Sequence, residues 1–397
     1  MFSGKRIILI FSLMFTQTLV THWPARNPQQ SRPFQAFDIS VAFHQGRSWY
    51  LSKICSDIEY VKLETRPDFL VERTDIVEIG KKFIALADTR KGEVLLFTRD
   101  GKIVKRLGRL GKGPGEFGSL NSVSLSWSER WVAIFDSGRG KVMLFDTGSD
   151  QIREIVVPGG ASQVIFGPGN LLLASYTYPI SSTNANCQFS WIDISDGSRK
   201  PFARVPESVQ SWSSLVVPVR RMKDEMVVDQ LYNDTIYRIS PNGFLEPRLS
   251  FGLGSNRLPA ESYRSGELFA KNVTNHTRYT QWIHTGKWIF INAMKGTQLK
   301  RILYDVENSS AFSLITFDEY RNMVIDNNVD GGPAFWFDCI THAGEPAQLV
   351  TTKRILDLQK AGYLNKYHLL NSGAGLKFQK LLSEISEGQN PVIQILK

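Results

Sequence analysis

Strand-turn-strand units recur at a fixed offset in this chain. Lys82-Phe83-Ile84-Ala85-Leu86-Ala87-Asp88 with Val94-Leu95-Leu96-Phe97 matches Arg130-Trp131-Val132-Ala133-Ile134-Phe135-Asp136 with Val142-Met143-Leu144-Phe145, each equivalent pair lying 48 residues apart. Short alternating runs separated by Gly/Asp turns are strands, and a period in the forties made of strands belongs to propeller blades rather than to a helical solenoid. Each blade hides its faces against its neighbours, so the array must close on itself or leave two apolar faces in water.

The same plan continues along the chain. Blade one is expected from about Leu70 to Leu107, blade two over 119–157, blade three from Ala161 to Val205 and blade four from Ser211 to Phe251. A polar segment from Gly254 to Lys271 leads to blade five, legible as Trp288-Ile289-Phe290-Ile291 and Leu299 to Asp305. Blade six is expected at Met323-Val324-Ile325-Asp326 and Ala334-Phe335-Trp336-Phe337. Arg66 to Val350 spans 285 residues, close to six periods of 48. Ile58–Leu63 and Pro391–Leu396 are free strand-like segments, and either or both can complete the ring. Between them Leu356, Gln359 and Tyr363, then Phe378, Leu381, Leu382 and Ile385, fall at helical spacings. The fold class is therefore all-β: a six-bladed β-propeller with a short C-terminal helical insertion. It occupies residues 57–397, with the helical segment at about 352–388 and a closing strand at 391–397.

Ahead of the ring, Lys5-Arg6 and the uncharged run Ile7 to Val20 read as the basic and apolar regions of a signal peptide or N-terminal anchor over residues 1–22. Residues 23–56, with Pro24, Pro28 and Pro33, read as a linker. The expected location is outside the cytoplasm, periplasmic or associated with the cell envelope, with membrane contact only through an uncleaved N-terminal segment. The net charge of +9 comes from basic residues scattered among acidic ones, which argues against nucleic acid as the partner. Cys55, Cys187 and Cys339 are too far apart in sequence for a CxxC metal pair or a disulfide framework.

Chemistry-bearing motifs are sparse. Gly108 to Phe117 is glycine-rich, but no helix follows, so it reads as an inter-blade crossover plugged by Phe117 rather than a phosphate loop. Asp88, Asp136 and Asp229 each end a second strand, where a carboxylate accepts N–H groups of the following turn. Loops between second and third strands open on the same face as the crossovers. On that face Arg90, Lys91, Lys112, Glu116, Arg139, Asn233, Asp326 and Asn327 are candidate ligand-binding residues around the channel mouth. No Gly-x-Ser-x-Gly elbow is present. The first functional expectation is a non-catalytic binding or scaffold protein recognising a glycan, peptide or protein, without a cofactor. The alternative is a metal-dependent hydrolase or lyase at the propeller centre, using His276, His284 and His342. Trp131, Trp191, Trp288 and Trp336 sit inside strand patterns and read as core.

Gly111 to Phe117 through Val132 to Asp146 resembles an NHL-type repeat. With Tyr232 to Ile239, Asp326 to Phe337 and the ending Asn390 to Lys397, the chain from about Ile58 resembles six-bladed β-propeller proteins abundant in Bacteroidetes, a group of unknown function. That resemblance implies export and no established reaction. Many such proteins carry a lipobox Cys just after the signal, and none stands there in this sequence.

Overall fold

The computed structural model describes residues 34–157, 159–182, 185–204, 218–229, 235–259, 261–262, 265–316, 322–364 and 372–397. The expected signal segment, the linker up to residue 33 and Asn233 lie outside these residues. Six separate sheets of four or five strands form the propeller. Blade one consists of Ile76–Ile79, Phe83–Asp88, Glu93–Thr98 and Ile103–Arg109, and blade two of Leu120–Leu125, Trp131–Asp136, Lys141–Asp146 and Ile152–Val156. Blades three, four and five start with Ala161–Phe166, Val219–Met222 and Thr277–His284. Within each blade consecutive strands pair antiparallel, because tight turns join them. The Asp100-Gly101 hairpin shows how tight the fit is. Gly101 has φ of +87°, and a Cβ there would meet the Lys62 carbonyl oxygen at 2.3 Å.

Apolar side chains on the two faces of each sheet form six clusters, one at every junction between neighbouring blades. Trp131, Trp191, Trp288 and Trp336 are all buried, as expected of core residues. Phe117 is fully buried in the crossover between blades one and two, where Leu110 and Phe117 form a bridge.

Both chain ends build the last blade. Its order is Cys339–Ile340, Pro346–Val350, Val392–Leu396 and Ile58–Lys62, so the C-terminal strand is third and an N-terminal strand is outermost. This corrects the expected position of blade six. Ile325, Phe335, Trp336 and Phe337 are buried between blades five and six, but their backbone forms only an isolated Ile325–Phe335 bridge within a long crossover. Residues 34–56 are also more than a linker. Gln35–Asp38 pairs in parallel with Leu245–Gly252 of blade four, and Gly46–Arg47 with Ser310–Leu314 of blade five. This strap adds a fifth strand to two blades before the chain reaches Ile58–Lys62.

Three helices interrupt the strands among the described residues. The polar segment before blade five contains α1 (Gly266–Val273), capped by Ser265, whose Oγ accepts the Leu268 N–H. The insertion in blade six holds α2 (Thr352–Lys360), capped by Thr351, and α3 (Ser372–Glu384). In α2 the fully buried stripe is Thr352, Ile355 and Leu358; of the expected Leu356, Gln359 and Tyr363, Leu356 and Tyr363 pack against the same cluster half-buried and Gln359 is exposed. Phe378, Leu381 and Leu382 of α3, with Ile385 just beyond it, pack as expected.

The closure carries a buried carboxyl. Asp330, in the crossover into blade six, is fully buried, and its Oδ1 accepts from Tyr60 Oη (3.3 Å), Asn327 Nδ2 (2.7 Å) and Gly332 N (2.9 Å). Oδ2 has no partner. Burial pushes this carboxyl above the ordinary value of 3.8, against the pull of its three donors, and Asp57 adds repulsion. Tyr60 and Cys55 face the same pocket of charge and are themselves pushed up by burial. A raised carboxyl pKa means that the native state holds the proton more tightly. Its stabilising share is complete below the ordinary value and is lost as pH rises through the raised one. Asp330→Asn is therefore expected to raise Tm by about 2 °C or more at pH 8, with the gain vanishing as pH falls towards 4. Equal gains at both pH values, measured by scanning calorimetry, would contradict this assignment.

Candidate ligand cleft and central channel

The first strands of all six blades surround a central channel of about 250 Å³. Polar side chains join the blades at every junction around it. Glu129, in the first hairpin of blade two, accepts N–H groups of Lys81 (2.6 Å), Lys82 (2.8 Å) and Phe83 (3.0 Å) in blade one. Its φ of 58° is strained for a residue with a side chain, and the three hydrogen bonds hold it there. Ser122 and Ser124 of blade two bond the backbone of Val164 and Phe166 in blade three. Gln163 of blade three both donates to Val219 O and accepts from Val219 N in blade four. Between blades four and five, Asp229 receives Arg220 Nη1 (2.6 Å) and Trp282 Nε1 (2.9 Å). Gln281 donates to the Asp338 carbonyl (3.0 Å), joining blades five and six. The circuit closes where His342 Nε2 donates to Glu78 Oε2 (2.9 Å) and His342 N to Ile79 O. Most channel amides and hydroxyls are thus spent on joining blades.

A larger cleft, about 580 Å³, opens between blade six and blade one on the crossover face. Glu72, Thr74 and Asp75 line one side, and Asp338, Thr351 and Gln389 the other. It meets the channel mouth, because Ile76, Val77, Asp338 and Cys339 line both spaces. Asp338 is open to water on the cleft side yet hemmed in by two blades. Burial raises its carboxyl above 3.8, partly offset by the Leu349 N–H on Oδ2 (2.8 Å). Beside it, burial and the charges of Asp338 and Glu78 push the Cys339 thiol far up, so it is protonated and no nucleophile at neutral pH. No basic side chain is among the lining residues, although Lys91 and Arg73 pair with the wall carboxylates Glu72 and Asp75. Carboxylates with hydroxyl and amide groups make a surface that accepts hydrogen bonds.

The rim residues nominated from sequence fall into three groups. Arg90 is exposed, while Lys91 Nζ donates to the Leu70 carbonyl (3.1 Å) and pairs with Glu72 (3.0 Å) at the cleft wall. Lys112, Glu116 and Arg139 meet at the next crossover. Lys112 is exposed. The Gly113 N–H and then Arg109 hold the Glu116 carboxyl below its usual range. Arg139 donates to the carbonyls of Glu116 and Gly111, so it fastens the crossover loop. Asp326 and Asn327 are buried. Asn327 accepts the Val329 and Asp330 N–H groups and donates to Asp330 and Pro333, which turns its side chain inward rather than to a rim. Glu72, Thr74, Asp75, Asp338, Thr351 and Gln389 are not legible as a site in the sequence because no local pattern joins them.

The three histidines are not brought together. His276 and His284 bracket the eight-residue strand Thr277–His284, placing them at opposite ends of blade five. Their ring nitrogens bond Asn272 O and Gly286 O, while His342 pairs with Glu78. Among the described residues no three His, Cys, Asp or Glu side chains converge to hold a metal ion.

Six sheets in a ring, closed by both chain ends around a polar channel, define a six-bladed β-propeller. The chain belongs to the DUF4934 family, a domain of unknown function, which matches residues 34–397. That match begins where the strap begins. Among solved structures, a candidate exported protein from Bacteroides fragilis is similar at 15% identity with a TM-score of 0.68, covering 92% of this chain and 99% of that one. A DUF4221-family member from Bacteroides vulgatus gives 10% identity and a TM-score of 0.47, covering 86% of this chain and 96% of its own. Virginiamycin B lyase from Staphylococcus aureus gives 13% identity and 0.38, over 66% of this chain and 76% of the lyase. No curated protein matches the chain. No described helix is long and apolar enough to cross a membrane.

Proposed function

We propose that this propeller is an exported, non-catalytic binding or scaffold protein that holds a glycan, peptide or protein partner at the channel-mouth face. The observation that carries this reading is the 580 Å³ cleft between blades six and one, which is of ligand size. Glu72 and Asp338 supply acceptors suited to sugar hydroxyls or to the amino groups of a peptide. Export is supported by the basic and apolar start of the sequence and by the likeness to a candidate exported protein.

Glycan and peptide arrays probed with the purified protein are expected to yield ligands whose affinity falls tenfold or more in the double variant Glu72→Gln, Asp338→Asn. Both positions are solvent-accessible, so Tm should stay within about 2 °C of the parent. Undiminished array binding in the double variant would remove the cleft from the reading.

A further inference from the structure

The far end of the channel contains an arginine that the fold does not explain. Val219–Met222 runs from the crossover face towards its first hairpin, so Arg221 stands at the end of the channel opposite the cleft. Its guanidinium lies over the ring of Trp127, 4.3 Å from the centroid, just beyond the first strand of blade two. Nε and Nη1 of its side chain are buried without a hydrogen-bond partner. A desolvated guanidinium with unspent donors is rare, because buried charges are normally paired. Burial accordingly pulls its pKa below the ordinary arginine value, and Glu78, Glu129 and Asp224 counter this only at a distance.

The channel wall next to Arg221 carries apolar side chains, Val123, Leu125, Ile165, Ile283 and Ile340, interleaved with the polar groups that join the blades. The channel volume is about 250 Å³. At the rim of this space His342 is buried, with Nε2 committed to Glu78 and Nδ1 unpartnered. The carboxylates Glu78 and Glu129 make a second negative charge costly here, which favours a monoanion over a phosphate.

We propose that the channel binds a monocarboxylate on a short aliphatic stem, with the carboxylate on Arg221 and the stem against the apolar side chains of the wall. The carboxylate can come from a free acid or from the C-terminus of a peptide. This goes beyond the cleft reading and stands at the other end of the channel.

Calorimetric titration with sodium hexanoate is expected to show saturable binding at one site, with hexanamide at least tenfold weaker. The dipeptide Val-Leu and its C-terminal amide form the second arm. Tighter binding of Val-Leu than of hexanoate identifies a chain end as the source, and the reverse order identifies a free acid. Arg221→Met is expected to weaken both acids tenfold or more without lowering the Tm of the unliganded protein, since it removes an unpaired desolvated charge. Glu72→Gln, in the cleft, is expected to leave hexanoate binding unchanged, which separates this inference from the cleft reading. The acid-against-amide comparison on the parent protein stands even if Arg221→Met fails to fold. Equal affinity for acid and amide, undiminished binding in Arg221→Met, or no saturable binding of either acid overturns the proposal.

Discussion

Truncation after Asn390 is expected to leave a chain without a cooperative thermal transition. Val392–Leu396 pairs on one side with Pro346–Val350 and on the other with Ile58–Lys62, so its loss both deletes a strand and detaches the outermost one. Val392, Ile393, Ile395 and Leu396 are at most 4% exposed. At about 1.5–3 kcal/mol for each buried aliphatic side chain, their removal costs about 6–12 kcal/mol. That rivals the whole net stability of an ordinary domain, about 5–15 kcal/mol. The exposed edge of Pro346–Val350 would then invite pairing between molecules. Circular dichroism melts of the full and truncated chains provide the check. A cooperative transition within a few degrees of the parent would show that the ring does not depend on its C-terminal strand.

The sequence made the regular part of this ring legible. Blades one and two repeat the same apolar and turn residues, and their second and third strands, Phe83–Asp88 with Glu93–Thr98 and Trp131–Asp136 with Lys141–Asp146, fall where the repeat places them. Asp88 and Asp136 accept turn N–H groups as expected, at Arg90 and Lys91 in one blade and Arg139 in the next. Each also catches the preceding crossover, through Glu72 and Arg73 or Gly118 and Ser119, a contact that only three dimensions reveal. Asp229 also receives Arg220 and Trp282, while the turn that follows it lies outside the described residues.

Blade six was misread for a physical reason. Apolar residues that fill the space between two sheets show the same density as a strand, so Phe335-Trp336-Phe337 looked like one while its backbone makes almost no ladder. The true strands are only two residues long or begin with a proline, Cys339–Ile340 and Pro346–Val350, and both features argue against a strand in a sequence. The cleft was hidden for a related reason. Its walls come from positions 72, 74, 75, 338, 351 and 389, which meet only because the chain ends share a blade.

The same ring explains which polar residues are free for a ligand. Ser122, Gln163, Gln281 and Glu129 look like binding groups in a channel, yet each spends its donors or acceptors on the neighbouring blade. Only groups left over from this circuit can recognise anything else. Asp338 at the mouth and Arg221 at the far end are such groups, one with an oxygen open to the cleft and the other with unspent N–H donors.

Removing the strap, by starting the chain at Trp49 instead of Phe34, is expected to lower Tm by about 10 °C and to promote aggregation. Phe37, Ile39 and Ala42 pack into the cluster between blades four and five, where Phe37 meets Tyr304 edge-on at 4.9 Å. Burial of Phe37 and Ile39 alone contributes about 3–6 kcal/mol. In a domain of this size each kcal/mol moves Tm by about 2–4 °C or somewhat less. Loss of Gln35–Asp38 and Gly46–Arg47 also bares the outer edges of Leu245–Gly252 and Ser310–Leu314, which carry unpaired backbone groups ready to template another chain. Ile58–Lys62 remains in place in this truncated form, so ring closure is retained and a cooperative transition survives. That separates the strap from the closing strand: one variant should melt early, the other not cooperatively at all. Calorimetry together with light scattering tests the distinction, and an unchanged Tm for the chain starting at Trp49 would show that the fifth strands add nothing to the stability of blades four and five.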